Sequence, residues 1–214
     1  DARDKCSSDG TRMMILQSIQ THHQEQVRNL FRETYTRIFG EYPSVKKMVK
    51  SALKTDLSNK GKGCVIWNAY SKEGGAFWVV TNEVGTIDGI DASEGCVVGC
   101  IGVKKCSYAA VSVADVAEYY EINRLAVKAE WRGRRLGKLL LDTVETFIQS
   151  RKVIRGINQK EDSKSSSIGI IATTPEVMEA ANALYSTNGF RVQEETLIGK
   201  MTIRTYLKVL HISH

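Results

Sequence analysis

EINRLAVKAEWRGRRLG, residues 121–137, is the stretch that decides the reading of this chain. Its first part continues a run of branched and aromatic residues from Tyr119 to Lys128, the pattern of a strand. Its last part opens a helix, because Leu136, Leu139, Leu140, Val144, Phe147 and Ile148 recur at helical spacing. Between them lies a short turn holding Gly133 and closing on Gly137. A strand, a glycine-containing turn and a helix together aim several backbone N–H groups in one direction. The helix start adds about half a positive charge. Arg132, Arg134, Arg135 and Lys138 supply further charge, so the segment reads as a cradle for a pyrophosphate. It is not a dinucleotide fingerprint, since the middle glycine is missing and the segment sits late in the chain. Gly137-Lys138-Leu139 also lacks the Ser or Thr of a kinase-type phosphate loop.

Downstream the strand–helix alternation continues. Ser167–Thr173 reads as a buried strand, and Thr174-Pro175 as the N-cap and first residue of a helix. That helix ends at Asn188-Gly189, a left-handed stop. Phe190–Thr196 and Met201–Leu210 are the last two strands, and Gly156–Ser167 is a polar loop. Upstream, Met13–Ile19 is a strand, and Thr21 with Gln24 forms a capping box for a helix reaching about Phe39, with Val27, Leu30, Phe31 and Ile38 on its apolar face. A second helix follows Pro43, capped by Ser44. Cys64–Tyr70, Ala76–Asn82 and Cys96–Lys104 read as strands, Gly85–Gly95 as a turn region, and Ser107–Glu118 as a loop or helical turn.

The chain has 214 residues, which suits one domain with a substantial core, here residues 13–214 behind a flexible tail of residues 1–12. No apolar run approaches the roughly 20 residues of a membrane helix. The net charge of +6 calls for an anionic partner, and its sharpest cluster is compact, which fits a phosphate ligand better than a nucleic-acid duplex. Five cysteines without a zinc spacing read as free thiols in a reducing compartment, the cytoplasm or the nucleus, and no metal is expected.

Arg132-x-x-Arg135-x-Gly137 resembles the acetyl-CoA motif of the GNAT acetyltransferases, Gln/Arg-x-x-Gly-x-Gly/Ala, with Arg135 in the place of the middle glycine. Ala181-x-x-Leu184-Tyr185-x-x-x-Gly189-Phe190 resembles the second motif of the same family, with Met178 where an asparagine is common. Thr55–Ser58, Ala76–Val80 and Val97–Gly102 are similar to its camello-like branch, although Lys46, Lys47, Lys50 and Lys54 stand where that branch often has an apolar membrane segment. The resemblance implies an α/β (α+β) fold with a mixed sheet of about six to seven strands, about four helices, and fourth and fifth strands that splay apart. It implies N-acetyl transfer from acetyl-CoA to a primary amine of a small molecule, peptide or protein. The acyl-pantetheine arm would pair with Leu125, Ala126 and Val127, with the Leu125 N–H facing the thioester oxygen. The diphosphate would sit on Arg132, Gly133, Arg134, Arg135, Leu136, Gly137 and Lys138. Tyr185 aligns with the family's general acid. Glu121, eleven residues before Arg132, stands where the histone-type branch has its general base. Relatives on the same fold use longer acyl-CoA or acyl-carrier protein, some with a Glu-x-x-Arg that Glu121 and Arg124 match loosely. A non-catalytic CoA-binding module is the remaining alternative. A monomer or homodimer is expected, without nucleic-acid or membrane partners.

Overall fold

Residues 13–36, 42–55, 57–58, 63–83, 95–106, 116–158 and 167–211 are described by a computed structural model. The elements in chain order are β1 (Met13–Ser18), α1 (Gln24–Thr36), α2 (Pro43–Lys54), α3 (Val65–Ser71), β2 (Ala76–Glu83), β3 (Cys96–Cys106) and β4 (Val116–Val127). They continue with α4 (Leu136–Asn158), β5 (Ser167–Pro175), α5 (Glu179–Thr187), β6 (Arg191–Ile198) and β7 (Met201–Leu210). The strands form one mixed sheet in the order β1-β2-β3-β4-β5-β7-β6, with β4 and β5 the parallel pair. The architecture is the expected α/β one, with seven strands and five α-helices rather than about four.

Two apolar clusters cover the two faces of the sheet. The stripe Leu136, Leu140, Leu141, Val144 and Ile148 lays α4 on one face, against Val98, Ile101, Tyr120 and Ile122. Each such side chain, once fully buried, contributes roughly 1.5–3 kcal/mol of transfer free energy. On the other face Val27, Leu30 and Phe31 of α1, Val45 and Val49 of α2, and Ile66 and Tyr70 of α3 meet Phe77, Val79 and Cys100. α5 touches both clusters through Ala181.

Three local expectations are corrected. Cys64–Tyr70 is not a strand but largely α3, because Ile66 and Tyr70, four apart, both bury on the sheet and Tyr70 meets the Phe77 ring edge-on at 5.0 Å. That packing overrides the β-propensity of Val65, Ile66 and Trp67. Thr174-Pro175 does not open a helix. β5 runs through Pro175, a strand end where a missing N–H is tolerated, and α5 starts at Glu179. The capping interaction before α1 also lies elsewhere. The Gln20 N–H donates to His23 Nδ1 at 3.1 Å, while the buried Gln24 side chain accepts from the Ile66 N–H at 3.1 Å and so fastens α1 to α3. The expected stop at Gly189 holds, with φ at +83° and the Phe190 N–H folding back onto the Tyr185 carbonyl at 3.1 Å. The tail of residues 1–12, Ile38 and Phe39, and most of the turn at Gly85–Gly95 and of Ser107–Glu118 lie outside the described residues; α4 extends to Asn158, and residues 159–166 of the expected loop are also outside them.

Candidate active site

The site begins with a fork in the sheet. β4 pairs with β5 only from Val116 to Ile122, opposite Ser167 to Ala172, yet stays paired with β3 to Val127. Residues Asn123–Val127 therefore face a gap on the β5 side. A bulge interrupts β4 at the same place. Ala126 lies opposite Cys100 and Asn123 opposite Gly102, so Arg124 and Leu125 together face Ile101. Arg124 absorbs the extra residue in the left-handed region, with φ at +58°. Its carbonyl accepts a hydrogen bond from the Cys100 thiol at 3.2 Å, and its guanidinium lies 5.1 Å above the Phe31 ring. In a trans peptide the C=O and the next N–H point opposite ways. With this carbonyl held by the Cys100 thiol, the Leu125 N–H points away from that side chain. Burial pushes the Cys100 thiol up to about 12, so it stays a thiol and a donor.

The cradle lies one turn further on. Gly133 has φ at +75° and Arg135 has φ at +61°. The Leu139 N–H donates to the Arg135 carbonyl at 3.0 Å, the first bond of α4, which leaves the N–H groups of Leu136, Gly137 and Lys138 without intrahelical acceptors. The four cations are deployed differently. Arg132 Nε donates to the Val127 carbonyl at 3.3 Å, tying the turn to the strand. Arg134 stacks 4.8 Å from the Trp131 ring, and Lys138 pairs with Asp142 at 2.7 Å. Arg135 is exposed.

Fork and cradle open into one cavity of about 420 Å³. Every residue expected to hold the donor lines it except Arg134, which is turned onto Trp131. Its remaining wall includes Trp131, α5 through Ala181 and Leu184, the flanking Met178 and Asn188, and Thr34 from α1. A Cβ on Gly137 would come within 2.9 Å of Leu184 Cδ2, so the glycine lets α4 and α5 close around the cavity. The spacing of Ala181 and Leu184 in the second motif already hinted at the α5 wall. Nothing in the sequence pointed to Thr34.

The two residues expected to move protons lie apart. Tyr185 is buried, 5.3 Å from the Phe190 ring and 5.4 Å from the Tyr206 ring. Burial pushes its phenol up, and the neighbouring Tyr35 and Tyr206 add to the effect, so it remains protonated. Leu184 lines the cavity and Tyr185 does not. A residue the sequence reading missed supports it. Tyr206 Oη donates to Asn182 Oδ1 at 2.8 Å, while Asn182 Nδ2 reaches the carbonyls of Pro175, Glu176 and Met178 at 2.9, 3.1 and 2.9 Å. One buried amide thus holds the β5–α5 connection, the role a cap at Thr174 was expected to fill. Glu121 lines a second cavity of about 510 Å³, with Lys72, Glu73, Lys104, Asn123 and Arg124. Successive residues of β4 line the two cavities, Arg124 the second and Leu125 the first. Trp78 and Tyr120 belong to the apolar packing: Trp78 meets Phe147 edge-on at 5.1 Å and Tyr120 is buried. Among the described residues no group of His, Cys, Asp and Glu is arranged to hold a metal, and no helix is long and apolar enough to cross a membrane.

A family model described as an acetyltransferase (GNAT) domain matches residues 73–192, which span the fork, the cradle and α5. No curated protein matches the sequence. The fold is similar to that of a GNAT-family acetyltransferase from Staphylococcus aureus Mu50, with a TM-score of 0.58, 18% identity, and coverage of 92% of this chain and 99% of that one. It is also similar to the PaiA N-acetyltransferase of Thermoplasma acidophilum solved with coenzyme A (TM-score 0.52, 15% identity, 90% and 98% covered). A third similar structure is Arabidopsis thaliana NAA60 with a bisubstrate analogue (TM-score 0.51, 15% identity, 93% and 98% covered).

Proposed function

Because the chain belongs to the GNAT acetyltransferase family, we propose that it transfers an acetyl group from acetyl-CoA to a primary amine by direct attack. The observation that carries this reading is the single cavity shared by the forked, bulged β4 and the α4 N-terminus. Backbone at Leu125–Val127 would take the pantetheine arm as an added strand. The free N–H groups of Leu136, Gly137 and Lys138, with Arg132 and Arg135, would hold the diphosphate. The Leu125 N–H would donate to the thioester oxygen as it becomes anionic, where a fixed donor is worth most. The acceptor nitrogen attacks the carbonyl carbon, the C–S bond breaks, and the amine proton leaves through water to Glu121. Tyr185 is assigned the general acid's role by its alignment with the family's tyrosine; burial keeps its phenol protonated, and because it does not line the donor cavity itself, this part of the reading is carried by the Tyr185→Phe test alone. Within the family, Thr55–Ser58, Ala76–Val80 and Val97–Gly102 favour the camello-like branch.

Mass spectrometry of the chain incubated with acetyl-CoA and a pool of amines tests the proposal, together with thiol titration. Acetylated amine and free CoA should appear in equal amounts. CoA binding without thiol release across a broad amine panel would overturn the enzymatic reading in favour of a binding module. Butyryl and longer donors in the same assay separate acetyl transfer from long-chain transfer.

A further inference from the structure

The second cavity differs in kind from the first. Among the described residues its wall is Thr55, Ala69, Lys72, Glu73, Lys104, Glu121, Asn123 and Arg124, with one apolar side chain among the eight. The strand supplies Glu121 and Arg124, the end of α3 supplies Lys72 and Glu73, and β3 supplies Lys104. Lys104 is committed to Glu73 at 3.3 Å and lies 4.8 Å from the Tyr70 ring centre. Arg124 is held over Phe31. The Glu121 carboxylate and the Lys72 ammonium make no ion pair or side-chain hydrogen bond with any described residue. One polar cavity thus presents an uncommitted anion on β4 and an uncommitted cation at the α3 terminus, with a guanidinium beside the anion.

Resting on the acetyltransferase reading, we propose that this cavity receives the acceptor, and that the acceptor is a small zwitterionic amine: an amino group and a carboxylate in one molecule. Glu121 takes the ammonium end, at the edge where Arg124 passes to Leu125 and the donor cavity begins. Lys72 and Arg124 take the carboxylate. A diamine or a lysine-rich peptide would set a second cation among Lys72, Lys104 and Arg124, and like charges brought together at a binding surface select against that partner.

The test is a matched acceptor series: an amino acid, its amide, the amine left by its decarboxylation, and a diamine of similar length. Thiol release gives kcat/KM for each, and calorimetry gives the affinity of each for the full chain loaded with CoA. The amino acid should exceed the amide and the decarboxylated amine by about tenfold, with the diamine lowest. Lys72→Glu, at an exposed position, should remove most of that preference, about fivefold or more, while the affinity for CoA stays the same. Equal use of amino acid and decarboxylated amine, or preference for the diamine, would overturn the proposal. If no amine releases thiol, the enzymatic reading fails separately, and calorimetry still decides: no tighter binding of the amino acid than of its amide overturns the zwitterion site.

Discussion

Replacing Arg135 by alanine and by glycine separates the two things this residue does. It stands at the start of α4 with φ at +61°, a conformation that places its Cβ against the backbone, and its guanidinium borders the donor cavity. A left-handed non-glycine residue costs about 1–2 kcal/mol. Arg135→Ala removes the charge and keeps that strain. Arg135→Gly removes both, but the unfolded chain gains freedom worth about 0.5–1 kcal/mol. The glycine variant should therefore be more stable than the alanine variant by about 0.5–1 kcal/mol, and alanine's poor capping acts in the same direction. For a domain of this size that is a difference in Tm of about 1–4 °C. Affinity for CoA should fall equally in both variants, by up to about fivefold at low salt, because an exposed cation is worth at most about 1 kcal/mol. The loss should shrink as salt is added. Thermal unfolding and fluorescence titration with CoA at two ionic strengths read both quantities. An alanine variant as stable as the glycine variant would refute the account of Arg135 as a strained occupant of a glycine position.

Three further outcomes follow from the site. Tyr185→Phe should lower kcat by about 10- to 100-fold with little change in CoA affinity, checked by steady-state kinetics and titration; an unchanged kcat removes the phenol from the thiolate's path. Glu121→Gln should lower kcat/KM by about 10- to 100-fold with little change in CoA affinity, checked by steady-state kinetics and titration; an unchanged kcat/KM assigns the base elsewhere. Cys100→Ser should flatten the alkaline loss of stability. The folded thiol is raised to about 12, while the unfolded thiol ionises near 9, so stability is complete below pH 9 and declines as pH rises toward 12. Cys64 is raised from 9 and Tyr35 and Tyr185 from 10 in the same sense, so the Cys100 share is the difference between Cys100→Ser and the unaltered chain in the change of denaturation midpoint from pH 8 to pH 10.

What the sequence made legible was local. The strand, turn and helix around Gly133 lie within one short segment, and their periodicities need no partner to be read. The errors came where a distant contact decides the backbone. Val65–Trp67 look like a strand until Phe77 is placed under Tyr70. Thr174-Pro175 looks like a cap until Asn182, on the helix itself, takes the carbonyls of the connection. Arg135 looked like a departure from a glycine motif, yet the backbone adopts the glycine conformation there regardless. The functional site divides along the same line. Residues 125–127 and 132–138 share one segment, so one motif could name the residues expected to bind the donor, and all but Arg134 line one cavity. The wall around Glu121 on β4 is assembled from Lys72, just after α3, and Lys104, on β3, which β2 separates in the chain, and no spacing announces it.

That division makes the bulge the central element of the mechanism. Glu121 and the donor cradle belong to different cavities, and direct transfer requires acceptor nitrogen and acyl carbon to meet. Arg124 lines one cavity and its neighbour Leu125 the other. The carbonyl of the peptide between them is held by the Cys100 thiol, so its N–H points away from that side chain. A regular strand would offer that N–H to a neighbouring carbonyl. In the proposed reaction, one inserted residue, held left-handed, would instead leave that N–H for the thioester oxygen. The end of the β4–β5 pairing at Ile122 fits the same proposal: a ladder continued to Val127 would fill the gap beside residues 123–127 and occupy the backbone groups the acyl arm is proposed to use.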